Sequence, residues 1–142
     1  MKKLLVSLLL VTQFSCIGKA QENTIAIQIP TTDSLKTDTL SLLFVGDLMQ
    51  HQGQINAART TEGGYDYSSY FEYVKEEISR ADFAIANLEV TLGGKPYKGY
   101  PAFSAPDEYL TAIHNAGFNV LITANNHSLD RGRSGLERTI LL

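Results

Sequence analysis

A single α/β domain built on a parallel sheet is what this 142-residue sequence predicts. Two observations carry that expectation. Three short apolar runs, at residues 40–45, 83–86 and 118–123, each stop at a cluster of polar residues, as strands buried on both faces do at their carboxyl ends. Between them lie stretches long enough for a helical crossover, the connection that parallel neighbours need.

The elements follow in order. Residues 40–45 (LSLLFV) form a continuous apolar strand that stops at Gly46-Asp47. Residues 69–80 carry helical periodicity: Tyr70, Phe71, Val74 and Ile78 fall on one face, with Glu72, Lys75, Glu76 and Arg80 off it. Residues 83–86 (FAIA) make the second strand, ending at Asn87-Leu88-Glu89. A Gly/Pro-rich loop follows, and Pro106 opens a helix at a place where its missing amide proton costs nothing. Leu110 and Ile113 face inward from that helix, and Gly117 closes it. Residues 118–123 (FNVLIT) make the third strand, ending at Ala124-Asn125-Asn126-His127, and a last helix starts near Ser134. Crossovers of this kind are right-handed, so all three strand ends meet at one edge of the sheet, with helices covering its faces.

Ahead of the domain, residues 1–20 read as an export signal. Lys2 and Lys3 precede a short apolar stretch, residues 4–11, well under the ~20 residues needed to span a bilayer. Two processing sites compete. Gly18-Lys19-Ala20 suits cleavage after Ala20, and Phe14-Ser15-Cys16 suits lipidation of Cys16, which would anchor the chain to a membrane. Residues 21–39, rich in Thr, Asp, Ser and Gln, read as a linker, and residues 40–142 as the domain.

Charge and composition narrow the function. Removing residues 1–20 leaves 9 basic and 15 acidic residues, a net charge of −6. With no basic stripe, nucleic acid is not an expected partner. The single Cys excludes a disulfide scaffold and a cysteine-built zinc site. The chemistry therefore falls to carboxylates, imidazoles, hydroxyls or a metal.

The strand ends supply such groups: Asp47, then Asn87 and Glu89, then Asn125, Asn126 and His127. Asp47 alone would read as a turn former. Three clusters at equivalent positions imply a shared site, where carboxylates would repel one another unless a cation lay between them. Oxygen donors with one imidazole suit Mn, Mg, Zn or Fe.

Four blocks then carry a resemblance. They are Gly46-Asp47-Leu48-Met49; Ala81-Asp82 through Asn87-Leu88-Glu89; Ser104-Ala105-Pro106; and Ala116-Gly117-Phe118 through Ala124-Asn125-Asn126-His127-Ser128-Leu129-Asp130-Arg131-Gly132. From about Leu40 onward the chain resembles the CapA family of bacterial capsule, or poly-γ-glutamate, synthesis proteins, which have a calcineurin-like metallophosphoesterase fold. The resemblance implies a βαβαβα half of that sandwich, truncated, and metal-assisted hydrolysis or transfer in the production of a surface polymer. A non-catalytic module that binds the polymer or assists its export is the alternative. The implied partners are the polymer or its biosynthetic machinery.

Residue by residue, the resemblance implies Asp47, Glu89 and Asn126 as metal ligands and His127 as the histidine that stabilises or protonates the leaving oxygen. Asp130 would orient His127, or else cap the helix starting near Ser134. The chain departs from the superfamily at Met49, which stands where a ligand histidine is expected. His51, two residues on, could substitute, although a loop histidine facing solvent is the simpler reading. The superfamily's later histidines lie in a second half, so the expectation is that this chain is an N-terminal part with weak metal binding and little turnover by itself.

Overall fold

The computed structural model describes residues 37–142. The expected export signal over residues 1–20, the Cys16 anchor and almost all of the linker over residues 21–39 lie outside the described residues. Residues 38–142 form one compact unit.

Three parallel strands, β1 (Leu42–Leu48), β2 (Phe83–Leu88) and β3 (Val120–Ile122), lie in the order β1-β2-β3. Among the described residues four α-helices connect or follow them: α1 (Gln52–Ala57), α2 (Lys75–Ser79), α3 (Asp107–Ala116) and α4 (Gly132–Leu141). The α/β class and the alternating order agree with the sequence reading.

The two faces of the sheet differ. Ala84, Ala86 and Leu88 of β2 are buried against the helices with Ile78, Tyr109, Ile113 and Phe118. Leu43 and Val45 of β1 point the same way and line an apolar hollow with Phe71, Val74, Ile78 and Phe118. The alternate residues Leu42, Phe44, Phe83 and Ile122 are exposed, Phe44 to 69%. Among the described residues the helices therefore cover one face rather than both, and strand β1 is not the doubly buried strand its apolar run suggests.

A bulge in β1 places the first acidic residue. Phe44 pairs with Ile85, yet the next pair is Asp47 with Asn87, so β1 carries one more residue than β2 between them. In a regular ladder Asp47 would oppose Leu88 and turn towards the helices. The extra residue lies between Phe44 and Asp47, and Asp47 is delivered to the open side beside Asn87.

The helix expected over residues 69–80 is broken. A 3-10 turn, Ser68–Phe71, precedes α2, because the aromatic residues obey tertiary contacts before helical phase. Phe71 packs against Tyr109 and Phe118 at ring separations of 6.3 and 6.0 Å. The Tyr70 hydroxyl donates to the Gln54 carbonyl at 2.8 Å, and Asp66 accepts the Ser68 amide at 2.8 Å, setting the turn.

Helix α3 follows its sequence signals closely. Pro106 precedes it, Asp107 and Glu108 occupy the positive first turn, and Tyr109, Ile113 and Ala116 form the buried stripe. Gly117 ends it in the left-handed conformation, φ 108°. Helix α1 has no sequence-level counterpart, being only six residues long.

Candidate functional site

Parallel strands in this order place their carboxyl ends along one edge, and the polar residues there join in one network. Asn87, the residue paired with Asp47, donates through its amide to Asp47 Oδ1 at 2.8 Å and to Glu89 Oε2 at 3.3 Å. One amide thus bridges two carboxylates. Asn125, beyond β3, donates to Asn87 Oδ1 and to the Leu88 carbonyl, each at 3.0 Å. Its own Oδ1 accepts the His127 amide at 3.0 Å. The hydrogen bonds therefore run unbroken from β1 to the loop after β3.

His127 is held on two sides. Its Nδ1 lies 2.9 Å from Asp130 Oδ2, which also accepts the Phe103 amide at 2.8 Å. A carboxylate can only accept, so Nδ1 carries the proton and Nε2 is left to the site. The imidazole meets Phe103 edge-on at 4.7 Å between ring centroids. Its Nε2 stands 3.9 Å from Glu89 Oε1. The side chains of His127, Glu89 and Asp130 are 15, 14 and 12% exposed and so largely shielded, whereas Asp47 is exposed.

This setting acts on Glu89. Desolvation, then the neighbouring Asp47, push its carboxyl above the usual carboxylate range, while His127 pulls it the other way. No Lys or Arg forms an ion pair with Asp47 or Glu89 among the described residues. Two facing carboxylates without a fixed cation suit a divalent ion. No group of three or more His, Cys, Asp or Glu side chains there could hold a metal ion. The donor set fits a hydrated cation resting on one or two carboxylates, the manner of Mg²⁺, better than a closed cage.

The structure thus brings together Asp47, Glu89, His127 and Asp130 of the residues singled out from sequence. Asn126 is exposed, and the amide that enters the network is its neighbour Asn125. Met49 is partly buried and packs on the core, and its carbonyl accepts the Tyr109 hydroxyl at 3.3 Å; burial pushes that phenol up to about 12. His51 is exposed, and its ring meets Phe103 edge-on at 5.1 Å between centroids. Phe103 is the residue that sequence reasoning missed. It is fully buried, it touches both histidines, and its carbonyl accepts the Thr91 hydroxyl at 2.6 Å. Its place one residue before the Ser104-Ala105-Pro106 block was the available signal.

Comparisons with known proteins identify the family. The sequence profile of a family described as "Bacterial capsule synthesis protein PGA_cap" matches residues 41–142. The chain is 31% identical over 113 residues to "Capsule biosynthesis protein CapA" of Bacillus anthracis, an alignment covering 74% of this chain and 26% of that protein. It is also 31% identical over 132 residues to "PGA biosynthesis protein CapA" of Bacillus subtilis (strain 168), covering 89% of this chain and 32% of that one. The chain therefore spans about a quarter to a third of the length of these relatives. On the match over residues 41–142, the chain belongs to the PGA_cap family of bacterial capsule synthesis proteins.

Proposed function

We propose that the strand-end network is a divalent-cation site for hydrolysis or group transfer, working in the synthesis of a capsule or poly-γ-glutamate-type surface polymer by an exported protein. The observation that carries the reading is the single Asn87 amide holding the Asp47 and Glu89 carboxylates together with no fixed cation beside them.

Asp47 and Glu89 would hold the ion, with solvent completing its shell. When bound, such a cation supplies charge neutralisation and polarises the scissile group. His127 presents Nε2 to the same space and can take or give a proton there, since Asp130 fixes Nδ1 as the donor. Asn125 and Asn87 keep the carboxylates and the imidazole in register, and Phe103 restrains the imidazole ring. Anchorage through Cys16, or release after Ala20, would place the site in the cell envelope.

The test is titration of the chain with Mn²⁺, read by paramagnetic resonance, beside Asp47→Ala and Glu89→Ala. A loss of roughly tenfold or more in affinity in both variants is expected. Equal affinity in all three proteins would overturn the site. The second reading, a polymer-binding module without catalysis, draws on the absence of a three-ligand cluster among the described residues. It predicts the same folded protein with no response to Mn²⁺.

A further inference from the structure

The loop that leaves the site after Glu89 and returns at Phe103 also carries a second feature, a cationic aromatic cleft of about 490 Å³ lined by Arg59, Tyr65, Lys95, Pro96 and Tyr97. We propose that this cleft binds the carboxylates of an acidic polymer chain of the polyglutamate type. The proposal rests on the reading above that the protein serves the synthesis of such a polymer.

Charge is the first argument. Residues 37–142 contain eight Lys and Arg side chains, of which Arg80, Arg133 and Arg138 are engaged with carboxylates. Arg59 and Lys95 are both exposed, form no ion pair among the described residues, and stand on the same cleft. Of the five basic side chains without an ion pair among the described residues, two therefore share one cleft. The cleft gives a polyanion somewhere to dock despite the unfavourable net charge.

Shape is the second. Tyr65 and Tyr97 meet at 86° with ring centroids 5.3 Å apart, making an apolar corner in the cleft that Arg59 and Lys95 also line. A polyglutamate chain offers methylene pairs to such a corner and a carboxylate on every residue to the rim. Arg59 can take a carboxylate in bidentate fashion, and Lys95 can take another as a point charge.

Rigidity is the third. Arg59 and Tyr65 are joined by an antiparallel bridge, and the Asp66 amide donates to the Ala58 carbonyl at 2.8 Å. On the other wall the Arg131 guanidinium donates to the carbonyls of Pro96 at 2.8 Å and Lys95 at 3.4 Å. Gly93 is what lets that arginine lie beneath the loop, because a Cβ there would meet the Arg131 side chain at 2.7 Å. Both walls are therefore ordered before any ligand arrives, which lowers the entropy lost on binding.

The experiment measures binding of fluorescently labelled poly-γ-glutamate to the chain by anisotropy at low salt and at 0.5 M salt. The double variant Arg59→Glu/Lys95→Glu is compared with Arg80→Glu/Arg133→Glu, which has the same net charge but is altered away from the cleft. Melting curves confirm that both are folded. The expected result is salt-sensitive binding that falls roughly tenfold or more in the cleft variant and about twofold or less in the control. Undetectable binding by the wild-type chain, or equal binding by the two variants, overturns the proposal. The two readings fail separately: Mn²⁺ affinity that is equal in wild type, Asp47→Ala and Glu89→Ala overturns the strand-end site alone, whereas polymer binding that is equal in the cleft variant and its control overturns the cleft alone.

Discussion

The Asp130 carboxylate holds His127 and the Phe103 backbone at once, through a single oxygen, Oδ2, at 2.9 and 2.8 Å. One acidic side chain therefore fixes both the tautomer of the imidazole and the position of the aromatic ring that packs on it. It does not cap α4, whose first residue is Gly132, with Arg131 preceding it. In Asp130→Ala the partly buried Phe103 amide loses its acceptor, and a loss of about 1–3 kcal/mol is expected in chemical denaturation. Nitrogen chemical shifts of the His127 ring supply the second readout. The wild type should show protonated Nδ1, and the variant a mixture of tautomers; an unchanged ring spectrum would contradict the assigned role.

Asn125 and Asn126 adjoin in sequence but differ in duty. Asn125 donates two hydrogen bonds that tie the loop after β3 to β2 and accepts a third from the His127 amide within that loop, whereas Asn126 is exposed. Asn125→Ala should cost about 1–3 kcal/mol by leaving the partly buried Asn87 oxygen and the His127 amide without partners. Asn126→Ala should fall within ~0.5 kcal/mol of wild type. Equal effects in the two variants would mean that the network is drawn through the wrong amide.

These two residues show where the sequence was legible. The three strands and helix α3 with its proline start and glycine stop follow from local patterns, although β1 and β2 run on to Leu48 and Leu88, past the expected stops. The meeting of Asp47, Glu89 and His127 follows from the crossover rule. The choice between adjacent amides does not, because it depends on which residue the turn after β3 aims back at Asn87. The bulge between Phe44 and Asp47 was hidden for a related reason: a run of apolar residues has no period from which an extra residue could be noticed. Phe44 and Leu42 looked buried because an apolar run scores alike whether one face is covered or two. The region over residues 69–80 misled in the other direction, since Tyr70 and Phe71 kept helical spacing while serving the Gln54 carbonyl and the Tyr109 and Phe118 rings.

Arg138 clamps Asp107 with two hydrogen bonds, at 2.8 and 2.6 Å, and also donates to the Leu92 carbonyl. The guanidinium holds the Asp107 carboxyl below its ordinary value, chiefly through those hydrogen bonds. A carboxyl with a depressed native pKa contributes stability above its unfolded pKa and loses it as pH falls through the native one. Acid titration of stability from pH 6 to below ~4 should therefore show a component that disappears in Asp107→Asn. Both side chains are more than a third exposed, so solvent screening limits the component to ~0.5–1 kcal/mol, diminishing with salt. A pH dependence identical in variant and wild type would refute the coupling.

Gly117 meets two constraints together. Its φ of 108° lies in the left-handed region, and a Cβ there would stand 2.9 Å from the Ser79 Cα. The second contact is backbone and cannot swing away, so α2 itself would have to move. Gly117→Ala should cost more than the ~1 kcal/mol of the conformational penalty alone, about 2–3 kcal/mol in all. A variant with wild-type stability would show that the α2–α3 approach is looser than the described distance.

Glu89→Gln separates the electrostatic argument from the packing argument at the strand edge. Glutamine keeps the size of the side chain and can still accept from Asn87, but it removes the charge facing Asp47. Burial first, and the neighbouring Asp47 second, disfavour the Glu89 charge, so the variant in a chelating buffer should melt at or above the wild-type temperature. Adding Mg²⁺ or Mn²⁺ should reverse the order, because a ligand that binds only the folded state raises its stability in proportion to affinity, and the variant has lost one of the two carboxylates. The crossing of the two melting series is the signature. A purely structural role for Glu89 would lower the variant's melting temperature equally in both buffers, and parallel shifts of that kind would remove the electrostatic basis for a cation at this edge.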